Sequence, residues 1–407
     1  MTKTVVILGA GVAGLQLAHY LVSRTAAKQP DLRVVLVSPN THFYWGLASV
    51  RFVLPTQQHG ITEDKYLIPI EEQFARYPNK AQFEFVAGAA KQLHPDRNSV
   101  TVARNAKAGG AAPEEVEIAY HTLIVATGTT YRGGMPWKAL GTTEDTRAAV
   151  AQLRKQIDAA QTIVVAGAGA TGVEFTGELA AAYGKGGKKK ITLVSTDALP
   201  LEPRLQDRVR ASARKELEKL GVKFLGNAKV TAVTPAPKGG DAKEIKVEVA
   251  SGGKTTTQTL EADLLVPTYG AEFNTSFAPA SMIAPSGRLR QNPDLRAPDH
   301  PNIFVVGDVG DLQHPQAIYA EQQAWHVMQQ FSKYLATDGR EIAPYHSGGE
   351  DKIQFAVTVG PSRAAGQMGG FQLPSLLIWW LKGRYLGTNY TQDFAAGNRG
   401  LSGALPK

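Results

Sequence analysis

Short apolar runs that break into glycine turns set the rhythm of this chain. Val5-Val6-Ile7-Leu8 is a continuous apolar run of the kind shown by a strand covered on both faces, and Gly9-Ala10-Gly11-Val12-Ala13-Gly14 follows it directly. The pattern repeats at Thr162–Ala166, followed by Gly167-Ala168-Gly169-Ala170-Thr171-Gly172. Further runs at 33–37, Leu123-Ile124-Val125, Lys190–Val194, Leu264-Leu265-Val266 and Ile303-Phe304-Val305-Val306 read as neighbouring buried strands. Two polar stretches, 238–241 and 252–257, read as solvated turns.

These elements predict an α/β fold with two Rossmann-type dinucleotide-binding domains, three-layer ββα and αβα in build. The nicotinamide domain is inserted in the FAD domain, and a C-terminal α+β segment follows. The expected boundaries are 1–131 with 268–335 for the FAD-binding domain, 132–267 for the NAD(P)-binding domain, and 336–407 for the C-terminal segment.

Each glycine turn has a chemical rationale. In the first, Gly9 permits the tight turn, Gly11 lets backbone approach a pyrophosphate, and Gly14 lets the helix pack closely on the strand. Free N–H groups at the helix start then face the anion, with Ala10, Val12 and Ala13 supplying backbone in the same loop. Gly167, Gly169 and Gly172 occupy the corresponding places in the second turn. Two complete fingerprints, each between a strand and a helix, imply two dinucleotide sites, FAD in one and NADH or NADPH in the other.

The strand ends refine this picture. An acidic residue is usual about 20 residues past the glycines, where it binds the ribose hydroxyls. Here the two second strands end in Ser38 and Ser195, which leaves NADH and NADPH undistinguished. A serine hydroxyl still hydrogen-bonds a ribose. Arg51 is a candidate for a phosphate or flavin edge, its alternative being a surface cation. Glu174, one turn into the second helix, is a candidate for positioning the nicotinamide ribose or amide. Asp308, delivered beside Gly307 by a strand, suits ribityl hydroxyls or a pyrophosphate water. Val86, Thr127, Gly128 and Gly270 complete the expected cofactor-binding positions. Lys188, Lys189 and Lys190 read as a solvated loop.

Composition narrows the chemistry. The chain has no cysteine, so disulfides, thiolate metal sites and thiol relays are excluded and electrons must pass through bound cofactors. No metal-ligand cluster, HExxH or GxSxG motif appears among the 9 histidines and the serines, so no metal and no catalytic side chain beyond the cofactors is expected. The net charge of +8 favours anionic partners, but the basic residues are spread out and nucleic acid is not an expected partner. No leader or membrane span is apparent, and the expected location is intracellular, either cytoplasmic or peripheral on a mitochondrial or other membrane.

Taken in order, Gly9 to Gly14, Ala126-Thr127-Gly128, Gly167 to Glu178 and Gly307-Asp308 resemble the pyridine nucleotide-disulfide oxidoreductase superfamily of FAD-dependent enzymes. The stretch from Val37-Ser38-Pro39 through Phe43-Tyr44-Trp45 to Arg51 is similar to its branch of type II NADH dehydrogenases and AIF-like mitochondrion-associated flavoproteins, or ferroptosis suppressors. In that branch the arginine contacts FAD. The resemblance implies an NAD(P)H:quinone oxidoreductase. Type II enzymes carry paired glutamines after the Gly-Asp turn, whereas Ala317-Ile318-Tyr319-Ala320-Glu321-Gln322 keeps only the second, so the AIF-like branch reads as the nearer.

The acceptor is the open part of the reading. A quinone is one expectation, and an aromatic metabolite, for which the aromatic patch around Trp45 would suit, is the other. An AIF-like flavin-containing DNA-binding or interaction protein is a third reading. The run Phe371 to Leu381, followed by Lys382, Arg384 and Tyr385, pairs tryptophans with basic residues and is too short to span a bilayer. It reads as a peripheral membrane contact over 371–385, or else as a helix packed on its own domain or on the second subunit of a homodimer.

Overall fold

The computed structural model describes residues 2–55, 60–106, 114–184, 186–236, 242–346 and 353–406. The elements that carry the site are β1 (Lys3–Leu8), α1 (Val12–Tyr20), β2 (Leu32–Ser38), β3 (Thr122–Val125), β4 (Thr162–Ala166), α2 (Ala170–Tyr183), β5 (Lys190–Val194), β6 (Leu264–Pro267), β7 (His300–Val305) and α3 (Ala317–Ala336).

The architecture is α/β, built on two parallel-cored sheets. In the first, β7, β3, β1, β2 and Phe83–His94 lie side by side and run parallel, with β1 central. Ser99–Arg104 and Glu115–Ala119 extend its far edge antiparallel. The second sheet, in the order Lys223–Leu225, β5, β4, β6, is parallel throughout. The continuous apolar runs follow from this arrangement, since a central parallel strand is covered on both faces. Val5, Val6, Ile7, Leu123, Ile124 and Val165 all have no exposed surface. The chain leaves the first sheet after β3, builds the second, and returns through the antiparallel edge strand Arg296–Ala297 to β7, the strand that lies against β3.

Of the two polar stretches, 238–241 lies outside the described residues. The other is a Gly252-Gly253 turn leading into the exposed strand Lys254–Ala262 rather than a turn throughout. Lys189 also departs from expectation. It is buried, and its ammonium donates to the Asp158 carbonyl at 2.9 Å and to that of Ala160, closing the end of the helix Thr143–Ala159 and the residue after it. The cause is local: the lysine stem covers apolar surface while its head meets carbonyls left open at a helix end.

The C-terminal segment forms an antiparallel sheet of Gln354–Val359, Arg363–Met368 and Phe371–Gln372, with a short helix Ser375–Ile378. It presses on α2 at Gly177, where an added Cβ would lie 2.5 Å from the Gly360 nitrogen. The last residues return to α1. Gln16 donates to the carbonyls of Phe394 and Arg399 at 3.2 and 3.0 Å, and buried Glu321 on α3 accepts from the Ser402 nitrogen at 3.0 Å.

His19 anchors this return. Its Nε2 bonds the Ala395 carbonyl at 2.8 Å and its Nδ1 the Tyr77 hydroxyl at 2.9 Å, with the ring stacked on Phe74 at 4.1 Å. A carbonyl can only accept, so Nε2 carries a proton, and in the neutral ring Nδ1 accepts from the Tyr77 hydroxyl. Burial lowers its pKa from 6.5 to about 3. The stability this neutral ring contributes is complete above pH 6.5 and is lost as pH falls from there toward about 3, because the unfolded chain takes up a proton that the fold excludes. At pH 5 the loss is roughly 2 kcal/mol. Melting temperature between pH 7 and pH 5 should therefore fall more steeply in the wild type than in His19→Gln, and equal slopes would contradict this assignment.

Candidate functional site

Two glycine turns of nearly identical build face the ends of the two sheets. Gly9 has φ +101° and Gly167 φ +104°, a left-handed conformation that suits glycine. An added Cβ at Gly14 would lie 1.9 Å from the Gly9 oxygen, and one at Gly172 would lie 1.9 Å from the Gly167 oxygen. At Gly11 and Gly169, by contrast, an added Cβ would meet nothing within 4 Å. These two residues cap α1 and α2 with no side-chain hydrogen bond and no acidic residue in the first turn. Each helix thus presents uncapped N–H groups and its positive end to open space, the chemistry of a diphosphate cradle.

The first turn gathers most of the residues expected around it. An added Cβ at Gly9 would lie 2.4 Å from the Ala126 oxygen and 3.0 Å from the Thr127 Cα, so the Ala126-Thr127-Gly128 turn abuts it. Thr127 and Asn274 hold that turn by reciprocal bonds of 2.8 Å between side chain and backbone. Gly307 packs on α1, 3.8 Å from the Ala13 Cβ when its own is built, and its nitrogen is fixed by the Gln323 side chain at 2.8 Å. Asp308 beside it has one oxygen, Oδ2, on the Lys138 ammonium at 3.1 Å, while Oδ1 is buried without a partner. An orphaned buried acceptor next to an open glycine cradle fits the hydroxyl-rich chain of FAD. Val86 lies in the strand paired with the end of β2, opposite Val37.

Ser38 and Ser195 are built alike. Both are buried, and each accepts a hydrogen bond from the backbone nitrogen two residues on, Asn40 at 3.2 Å and Asp197 at 3.3 Å. Each hydroxyl keeps its own proton to donate. Gly270 lies at φ +78°, where its carbonyl accepts from Arg132 at 3.0 Å. Thr268, two residues earlier, closes the second turn by donating to Gly167 at 2.7 Å.

Arg51 and Glu174 are held by the C-terminal segment. The Arg51 Nη2 donates to Glu178 at 2.6 Å and to the Gly383 carbonyl at 2.9 Å, and Nη1 bonds the Arg384 carbonyl at 3.3 Å. Its side chain and that of Glu178 are 3% and 0% exposed, so this is a buried ion pair rather than the surface cation that was the alternative reading. Nε is buried without a partner. Burial pushes the Glu178 carboxyl up, against the pull of Arg51. One turn earlier on α2, Glu174 accepts from the Thr358 nitrogen at 3.0 Å and from Lys382 at 2.8 Å. Arg51 from the first unit and two glutamates of α2 thus clasp residues 382–384 between them.

The aromatic patch around Trp45 is not a substrate surface, which corrects the sequence reading. Trp45 is 1% exposed, stacks edge-on against Phe394 and Tyr390, and bonds the Leu386 carbonyl at 2.8 Å. The chain's own tail occupies the place a planar ligand would need. The open apolar surface lies elsewhere, at Phe371, Leu376, Trp380 and Leu381, which are 80%, 69%, 62% and 68% exposed. It includes an open recess of about 450 Å³ lined by Pro374, Leu376, Leu377, Trp379 and Trp380. No helix among the described residues is long and apolar enough to cross a membrane.

Lys138, Glu178, Thr268, Gln323 and Thr358 are the site's unforeseen members. Glu178 lay within the quoted helix sequence, but nothing local marks it as the partner of an arginine 127 positions away. Glu321 is fully buried and spent on Leu401 and Ser402.

Known proteins are similar to this chain in sequence and in fold. The family model of the pyridine nucleotide-disulphide oxidoreductases matches residues 3–324. The oxidoreductase ptaL of Pestalotiopsis fici is 33% identical over 92% of this chain and 94% of its own length. Ferroptosis suppressor protein 1 of Homo sapiens is 24% identical over 94% and 93%. The structure of NDH2 from Plasmodium falciparum in complex with NADH superposes with a TM-score of 0.71 at 14% identity, covering 97% of this chain and 100% of that one. With its paired glycine turns and a family match over most of its length, this chain is a member of the pyridine nucleotide-disulphide oxidoreductase family.

Proposed function

We propose that the chain binds FAD at the first glycine turn and NADH or NADPH at the second, and passes electrons on to a quinone or a similar planar acceptor. The observation that supports it most is the pair of matched turns, each with an open glycine at an uncapped helix start. Bound FAD would accept a hydride from the nicotinamide and release the electrons to the second substrate. In this reading residues 1–131 and 268–335 form the FAD-binding domain, 132–267 the nicotinamide domain, and 336–407 the acceptor-facing segment.

The residues act by binding and orientation. The N–H groups at the starts of α1 and α2 hold the two diphosphates. The free Oδ1 of Asp308 accepts from ribityl hydroxyls, and the Ser38 and Ser195 protons are available to ribose oxygens. Glu174 sets the height of the C-terminal segment over the second site through Lys382 and Thr358. The likeness to an NDH2 solved with NADH supports a nicotinamide donor. The exposed apolar face over 371–385, with the exposed Arg384 beside it, suits an acceptor delivered from a membrane surface, where the face would rest peripherally. Its tryptophan-lined recess supports a second reading, in which an aromatic metabolite is the acceptor.

Anaerobic addition of NADH or NADPH to the FAD-loaded protein should bleach the flavin absorbance, and a short-chain quinone should restore it. Restoration only by a phenolic metabolite would select the second reading. A flavin that neither nucleotide bleaches would refute both.

A further inference from the structure

The two glycine fingerprints are each abutted by a second, shorter turn, and the two short turns are built alike. A Cβ added at Gly9 would lie 2.4 Å from the Ala126 oxygen and 3.0 Å from the Thr127 Cα. One added at Gly167 would lie 3.0 Å from the Thr268 Oγ1 and 3.4 Å from the Tyr269 Cβ. Each short turn ends in a left-handed glycine, Gly128 at φ +61° and Gly270 at φ +78°. Thr127 and Tyr269 are therefore counterparts, and their side chains are used differently. Thr127 turns its hydroxyl inward, onto the Asn274 carbonyl at 2.8 Å. Tyr269 is 51% exposed, and its side chain makes no hydrogen bond or ring contact among the described residues. Apart from Phe371, Trp380 and Tyr385 on the C-terminal face, it is the only exposed Phe, Trp or Tyr among those residues.

The backbone beneath this free ring is fixed on both sides. Thr268 donates from its nitrogen to the Ala166 carbonyl at 2.8 Å and from its hydroxyl to that of Gly167 at 2.7 Å, and the Gly270 carbonyl accepts from the Arg132 nitrogen at 3.0 Å. The order of the strands tells which half of a dinucleotide would meet the ring. β4 lies between β5 and β6, and β5 leads into Ser195, the place of the adenosine ribose contact in a Rossmann unit. A dinucleotide with its diphosphate at the start of α2 extends its other half past the end of β6, where Tyr269 stands. That half carries the nicotinamide, a planar ring that is neutral when reduced and cationic when oxidised. The electron-rich face of a phenol stacks on a planar ring and attracts a cationic one more strongly.

We propose that Tyr269 is the stacking platform for the nicotinamide half of the second dinucleotide, and that it holds the oxidised ring more tightly than the reduced one. The inference rests on the assignment of NADH or NADPH to the second turn. Because the turn fixes its backbone, the tyrosine loses little freedom on stacking.

The test is calorimetric titration of the full-length, FAD-loaded protein with three probes: NAD+, ADP-ribose, which lacks the nicotinamide, and tetrahydro-NAD, whose nicotinamide ring is uncharged and donates no hydride. Their 2′-phosphorylated forms serve if NADPH is the donor. Tyr269→Leu should weaken NAD+ about 10-fold and tetrahydro-NAD about 3-fold, and should leave ADP-ribose within about twofold of wild type. Tyr269→Phe, which keeps an aromatic face, should hold NAD+ within about threefold. The melting temperature reports that both variants fold. Wild-type NAD+ affinity in Tyr269→Leu overturns the inference, as do equal losses of NAD+ and ADP-ribose or equal losses in the Leu and Phe variants. Equal losses of NAD+ and tetrahydro-NAD overturn the preference for the oxidised ring. A wild-type protein that takes up neither NAD+ nor ADP-ribose would instead refute the assignment of the second site itself.

Discussion

Gly169→Trp should leave the FAD-loaded protein folded and yellow but unable to be reduced by NADH or NADPH, with affinity for the nucleotide lowered at least about 100-fold. The argument is geometric. Gly169 has extended backbone, φ −70° and ψ −171°, which any residue adopts, and its Cβ direction leads into open space. An indole there would not disturb the fold. It would fill the volume in front of the uncapped N–H groups of α2, where a diphosphate must lie. Gly172 makes a control of the opposite kind: a Cβ there would lie 1.9 Å from the Gly167 oxygen, so Gly172→Trp should fail to fold rather than fail to bind. Anaerobic spectra with excess NADH, taken on variants that still hold FAD, separate the two outcomes. If the Gly169 variant loses FAD and the nucleotide still binds, the two sites have been exchanged.

The second large effect is structural. Arg51→Met should destabilise the protein by about 3–5 kcal/mol, because it takes the guanidinium away from a carboxylate that has no exposed surface. The corresponding fall in melting temperature is roughly 10 °C. Burial already pushes the Glu178 carboxyl up, so the intact pair contributes little net stability of its own. Arg51→Met combined with Glu178→Leu should therefore recover much of the loss. Additive losses in the double variant would show that the two residues do not act as a pair. Arg51→Lys should not rescue, since Nη2 serves both Glu178 and Gly383, and Nη1 a third partner, from one planar fork.

What the sequence revealed and what it hid divide along physical lines. The glycine turns were legible because their requirement is local: a left-handed Gly9 and a Gly14 against the Gly9 oxygen are set within six residues. The parallel strands were legible because burial on both faces leaves continuous apolar runs. Arg51 was legible as a candidate for a phosphate or flavin edge, and its buried ion pair was hidden, since Glu178 arrives from another unit of the fold. Trp45 misled for a related reason. An aromatic cluster looks the same in sequence whether it faces a ligand or the chain's own Phe394. Lys189 looked like one of three solvated lysines, and the carbonyls of Asp158 and Ala160 at the nearby helix end, with the Tyr183 ring, are what hold it in a buried place. Lys138 carried no signal, because its meaning depends on Asp308, which reaches the same place only when β7 returns to the first sheet.

The central claim is that one chain holds two dinucleotides at once, at two equivalent helix starts. Equilibrium ultrafiltration of the apoprotein with FAD and NAD+ together measures this directly. The account predicts one FAD and one NAD+ retained per chain, neither displacing the other. Retention of a single dinucleotide, with FAD and NAD+ competing for it, would contradict the account.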